Sequence, residues 1–205
     1  MFQLLSYTFS VLALALSSSA APSTSLLCQG ARSNVQAHLT NEPWIQQLYS
    51  PCVEGAASDG SDFWKRKSCV AAAVAMGPRT IVNYASCELT SIPEPSSLPY
   101  LDYGVYASIV GDCAYDAQAC GVSRQNLVDL VYGQLSAAGA TIWPKSGAQL
   151  VTDVIDPVFT WAAREPTVPY SRFNQWLQVA AYPDILIEDG TDNNEYFYDH
   201  EEDAD

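Results

Sequence analysis

An all-α single compact domain of seven or eight helices, stapled by three disulfides and trailed by an acidic disordered tail, is what this chain of 205 residues predicts. Three observations carry that prediction. Apolar residues recur at helical spacing from residue 35 onward, while the strict alternation of a strand is nearly absent. Six cysteines, an even number, follow an apolar leader of the kind removed on secretion. Nine of the 23 acidic residues crowd into residues 188–205, where no Lys or Arg occurs.

The leader comes first. Val11 to Leu16 form a short apolar run, and Ser18-Ser19-Ala20 is a small-residue cleavage pattern, so residues 1–20 read as a signal peptide. The run is shorter than the roughly 20 apolar residues of a membrane span. No second run is long enough either, so a soluble, secreted, extracellular protein without a membrane span is expected. An oxidising compartment then makes three disulfides of Cys28, Cys52, Cys69, Cys87, Cys113 and Cys120. About 15 pairings are possible for six cysteines, and the sequence does not choose among them. Residues 21–187 suffice for one domain with its own core.

The elements follow in order. Val35 and Leu39 flank His38 on a first helix. Asn41 caps a second, with Pro43 in its first turn and Trp44, Ile45, Leu48 and Tyr49 on one face, ending at Pro51-Cys52. After a Gly55–Gly60 loop, Ser61 or Asp62 caps DFWKRKSCVAAAVAM, which stops at Gly77-Pro78. Its alanines allow close backbone approach, which suits a central helix. RTIVNYASC carries Cys87 back toward that core, and Ser91–Pro99 is a linker. YLDYGVYASIVGDC reads as a helix with Leu101, Val105 and Ile109 spaced by four. Ser123 caps the next, with Leu127, Leu130, Val131, Leu135 and Ala138 on a face and Gly139 closing it. Ser146 starts another, with a kink or restart at Pro157. Pro169 opens the last, with Phe173, Trp176, Leu177 and Ala180 facing inward.

Removing the nine tail acids from the formal −14 leaves the body at −5. Residues 188–205 are expected to be solvated and disordered. With no basic face, nucleic acid is not an expected partner. Zinc is set aside because no Cys-x2-Cys knuckle exists and His38 and His200 are the only histidines. No metal and no cofactor is expected. Serine or cysteine hydrolysis lacks a base, since His38 reads as a half-buried structural histidine. A nucleophile elbow, a phosphate loop and a dinucleotide fingerprint are all missing.

Carboxylate chemistry needs no histidine. Glycoside hydrolysis uses one protonated and one ionised carboxyl across a cleft. Glu88, Asp102, Asp112, Asp116 and Glu165 are the acids at hand, and Asp112, Asp116 and Glu165 are the catalytic candidates of that reading. The stretch GDCAYDAQACG, residues 111–121, holds the closest pair. Its competing reading is a stapled turn in which Asp112 and Asp116 bond exposed backbone N–H groups, and a calcium site is a weaker third. Trp143, in the loop Thr141-Ile142-Trp143-Pro144, is the one tryptophan placed to meet a ligand.

With the leader segment, FWKRKSCVAAAVAMG, YASIVGDC and VPYSRFNQWL resemble stretches of small secreted cysteine-containing fungal proteins of unassigned function. The resemblance implies a habitat and no catalytic residues. The expected function is a secreted, monomeric, non-catalytic protein that binds an extracellular ligand: a wall glycan, an apolar small molecule or a host protein. The alternative is a carboxylate-pair glycoside hydrolase acting on a cell-wall polysaccharide.

Overall fold

The computed structural model describes residues 26–59, 63–88, 100–116, 120–162 and 166–179. The leader, the 91–99 linker and the acidic tail lie outside these residues. Helices α1 (Leu26–Asn41), α2 (Gln46–Asp59), α3 (Lys67–Met76), α4 (Pro78–Glu88), α5 (Tyr103–Val110) and α6 (Arg124–Ala137) come first. A continuous helical run follows, made of α7 (Gly147–Leu150), a π-helical turn (Val151–Ile155) and α8 (Asp156–Ala162), and α9 (Tyr170–Val179) ends the described chain. Counted as rods, with the run as one, the described residues hold eight helices. The fold is all-α, as the hydrophobic spacing predicts.

The centre is α3. Every residue from Cys69 to Met76 is buried, so this helix has no solvent face. A helix apolar on all sides belongs inside a bundle, and α3 packs against α2, α4, α6 and the π-helical turn. Around it, Leu48, Cys52 and Ala56 of α2, and Leu127, Val131 and Leu135 of α6, place apolar side chains at intervals of about one turn. Phe173, Trp176 and Leu177 of α9 close the core from the end of the chain, as expected, while Ala180 lies outside the described residues.

Helix packing explains the disulfides. Cys28–Cys87 joins α1 to α4, Cys52–Cys69 joins α2 to α3, and Cys113–Cys120 closes the turn after α5. The first two bridges link helix pairs that already lie side by side.

Several boundaries differ from the sequence reading. Pro51 does not end a helix; it lies inside α2, which runs on to Asp59. The helix starts only at Gln46, so Pro51 falls in its second turn, and buried Cys52 and Ala56 keep the following turns in the core. The segment after Asp62 is broken as well: Phe63–Lys65 form a 3-10 turn, and Arg66 is extended before α3 starts. Helix α5 stops at Gly111 and a separate 3-10 turn, Asp112–Tyr115, follows. Ala138 is exposed beyond the end of α6 rather than on its buried face. One short ladder was invisible to periodicity. Val122–Ser123 pairs antiparallel with Thr167–Val168, bringing α6 and α9 together at their starts. At Gly121 a Cβ would meet the Val168 backbone carbon at 2.9 Å, so only glycine allows this approach.

Side-chain caps fix the helix starts. Asp102 accepts the Val105 N–H at 3.0 Å to begin α5. Ser123 and Asn126 cap α6 reciprocally, the Asn126 N–H donating to Ser123 Oγ at 3.1 Å and the Ser123 N–H to Asn126 Oδ1 at 2.9 Å. Asn174 is the buried polar side chain of the described core. Its Oδ1 accepts the Leu101 N–H at 2.6 Å, while the Tyr170 hydroxyl donates to the Leu101 carbonyl at 2.6 Å. Both backbone groups of Leu101 are thus satisfied by α9, which anchors the entry to α5.

Candidate functional site

The helical run 147–162 is irregular for a reason visible in its hydrogen bonds. The Asp156 N–H donates to the Val151 carbonyl five residues back, which makes the wider π-type turn. Pro157 follows at once. The expected restart is therefore present, but it falls at Asp156, where a proline in the first turn needs no donor. The widened turn leaves Asp153 exposed and Val154 half-buried beside the core.

Against this turn lies a groove of about 330 Å³. Its walls come from six elements: His38 of α1, Val74 to Met76 of α3, Pro78 and Arg79 opening α4, Asp153 and Val154 of the π-helical turn, Pro157, Val158 and Trp161 of α8, and Trp176 of α9. Gly77, at φ 85°, ends α3 inside the groove wall and turns the chain directly into α4. A residue with a side chain is strained there. Apolar side chains make most of the lining, and His38, Arg79 and Asp153 supply the titratable groups. Burial lowers the His38 pKa from 6.5, so the imidazole is inclined to stay neutral. Volume, apolar walls and a few convergent polar groups match the ordinary description of a small-molecule site, at its lower size limit.

A second, smaller concavity adjoins the first across Asp153 and Val154, which line both. It holds about 30 Å³ between Glu42, Trp44, Pro144, Lys145 and Leu150, room for about one water. Glu42 is engaged here, accepting the Trp44 indole N–H at 2.7 Å. Beside it Trp143 is 42 % exposed and stacks on Tyr132, with ring centroids 6.0 Å apart. Gln47 clips that loop at two points, accepting the Thr141 N–H at 2.8 Å and donating to the Ile142 carbonyl at 3.1 Å. Trp143 is thus held outward on a fixed loop. A larger concavity of about 590 Å³ is lined by α1 alone, and no second element walls it among the described residues.

The acids singled out by the sequence are elsewhere. Asp112 opens the exposed 3-10 turn and Asp116 ends it; neither lines the groove. Neither carboxylate caps a backbone N–H among the described residues, and residues 117–119, where a turn begun by Asp116 would run, lie outside them. Glu165 lies outside the described residues, and Asp102 is occupied as the cap of α5. Among the described residues no three His, Cys, Asp or Glu side chains converge as a metal site requires. The groove residues Arg79, Asp153 and Val154 were missed by the sequence reading. They belong to separate elements, and the one local signal was the doubled apolar pattern Leu150/Val151, Val154/Ile155 around the π-helical turn.

Compared with known proteins, the chain matches no family model, no curated protein and no solved structure.

Proposed function

We propose that the protein is a secreted, non-catalytic extracellular binding protein whose ligand is a small, mostly apolar molecule seated in the groove beside the π-helical turn. The observation that carries this reading is the groove itself: about 330 Å³, walled by Val74, Met76, Val158, Trp161 and Trp176, with His38, Arg79 and Asp153 able to orient one polar end of a ligand. Three disulfides support an oxidising habitat, and no described helix is long and apolar enough to cross a membrane. The glycoside-hydrolase alternative has less support. It needs two acids facing one cleft, whereas Asp112 and Asp116 stand on an exposed turn and, among the described residues, Asp153 is the one carboxylate lining this groove.

The test is a fluorescence titration with the neutral apolar probe N-phenyl-1-naphthylamine. Wild type is expected to bind it saturably, and Val154→Trp, which fills the groove from a half-buried position, is expected to weaken binding by at least about tenfold with unchanged circular dichroism. Equal affinity in both proteins would overturn the assignment. So would release of reducing ends from chitin, chitosan, peptidoglycan or β-glucan that is lost in Asp112→Asn, Asp116→Asn or Glu165→Gln.

A further inference from the structure

Exposed aromatic rings gather where α5 and α9 meet the turn closed by Cys113–Cys120. Tyr100 is 71 %, Tyr115 70 % and Tyr103 37 % exposed, and none of them lines the groove. Tyr103 is the hub of the group. Its ring centroid lies 5.0 Å from Tyr170, 5.6 Å from Tyr106 and 5.8 Å from Tyr115. The cluster is built before any partner arrives. The Tyr103 hydroxyl donates to the Ala114 carbonyl at 2.6 Å and the Tyr106 hydroxyl to the Cys120 carbonyl at 2.7 Å, so the disulfide-closed turn is bolted to both rings. The hydroxyls of Tyr100 and Tyr115 bond no described residue.

Charge around this face has one sign in the nearest sequence neighbours. Asp112 and Asp116 bracket Tyr115 and are exposed, and Asp102 sits between Tyr100 and Tyr103. The Asp102 charge reaches the rings: burial first, then Asp102, raises the Tyr170 hydroxyl above its ordinary range. Ring geometry selects among cationic partners. Tyr103 meets Tyr170 at 61° and Tyr115 at 65°, edge to face. A sugar polymer stacks best on faces that share a plane, whereas these rings offer faces at steep angles, with exposed Asp112 and Asp116 close by in the sequence. A guanidinium suits that arrangement, because it stacks on tyrosine and pairs with a carboxylate through the same planar group.

We propose that the face formed by Tyr100, Tyr103, Tyr115, Asp112 and Asp116 docks an arginine-rich segment of a protein partner. This site is separate from the groove and stands or falls independently of it. The probe is a fluorescein-labelled peptide of four Arg-Ser repeats, followed by fluorescence anisotropy on the full chain at about physiological ionic strength, where screening acts beyond about 8 Å. Tyr100→Ala combined with Tyr115→Ala removes exposed rings only and is expected to weaken binding about tenfold; Asp112→Asn with Asp116→Asn is expected to weaken it about fivefold. A lysine-for-arginine peptide should bind several times more weakly. Unchanged affinity in both double variants would overturn the proposal by assigning binding to net charge elsewhere in the chain. Saturable binding of glucosamine oligomers that the arginine peptide fails to displace would overturn it in favour of a polysaccharide partner.

Discussion

Removing the Cys28–Cys87 bridge with a Cys28→Ser/Cys87→Ser double variant tests how α1 is held. Among its described side chains, α1 buries just Ala31 and Val35, with Leu39 packed partly against the core. That is little apolar contact for a helix of 16 residues. The bridge closes a sequence separation of 59, for which loop-closure entropy gives a stabilisation of about 4 kcal/mol. The Cys113–Cys120 bridge, with a separation of 7, is worth about 2.5 kcal/mol by the same relation. Urea unfolding followed by tryptophan fluorescence should rank the two deletions in that order. Because His38 travels with α1, the first deletion should also weaken binding of the apolar probe, and hydrogen exchange should show α1 opening ahead of α3. A Cys28/Cys87 variant no less stable than the Cys113/Cys120 variant, with α1 still protected, would refute the reasoning.

Other outcomes follow from single groups. Burial holds the His38 pKa below 6.5, so the folded chain takes up that proton less readily than the unfolded one. Its contribution to stability is full above about pH 6.5 and is lost as pH falls toward the folded value, and His38→Gln should flatten the slope of urea midpoint against pH in that window. Arg79 and Asp153 also line the groove, so probe binding should weaken over the same range as His38 gains charge. Burial, then repulsion from Tyr103, pushes the Tyr106 hydroxyl up to about 12. Stability tied to its neutral form is full below about pH 10 and is lost as pH climbs toward 12; phenolate absorbance should show a late-titrating component that is lost in Tyr106→Phe. Ser123→Ala breaks the reciprocal cap of α6 and should destabilise by about 1 kcal/mol in urea unfolding; no measurable loss would mean the cap contributes nothing beyond solvent.

Much of the fold was legible because its strongest signals are local. The alanine-rich stretch before Gly77 reads as a central helix, and α3 is buried on every side. Ser123 reads as a cap because a short hydroxyl side chain three residues ahead of Asn126 can accept the Asn126 N–H. The restart near Pro157 was legible for the same kind of reason. What escaped is what depends on distance. A two-residue ladder is too short for alternation to register, and the pairing of Val122 with Val168 joins segments far apart in the chain. The Phe63–Lys65 turn has the composition of a helix and breaks because Arg66 is extended. The disulfide pairing follows from α1 lying on α4 and α2 on α3, neither of which any spacing reveals. The groove draws on residues from His38 to Trp176, so no motif announces it, and the acid pair at Asp112 and Asp116 drew notice because it is local.

The central claim is that ligand enters the groove beside the π-helical turn. Methyl NMR during titration with N-phenyl-1-naphthylamine tests it most directly. Saturable shifts concentrated at Val74, Met76, Val154 and Val158, and absent in Val154→Trp for the remaining three, are the expected result. Shifts that scatter over the surface, or leave these four methyl-bearing residues unmoved while binding saturates, would contradict it.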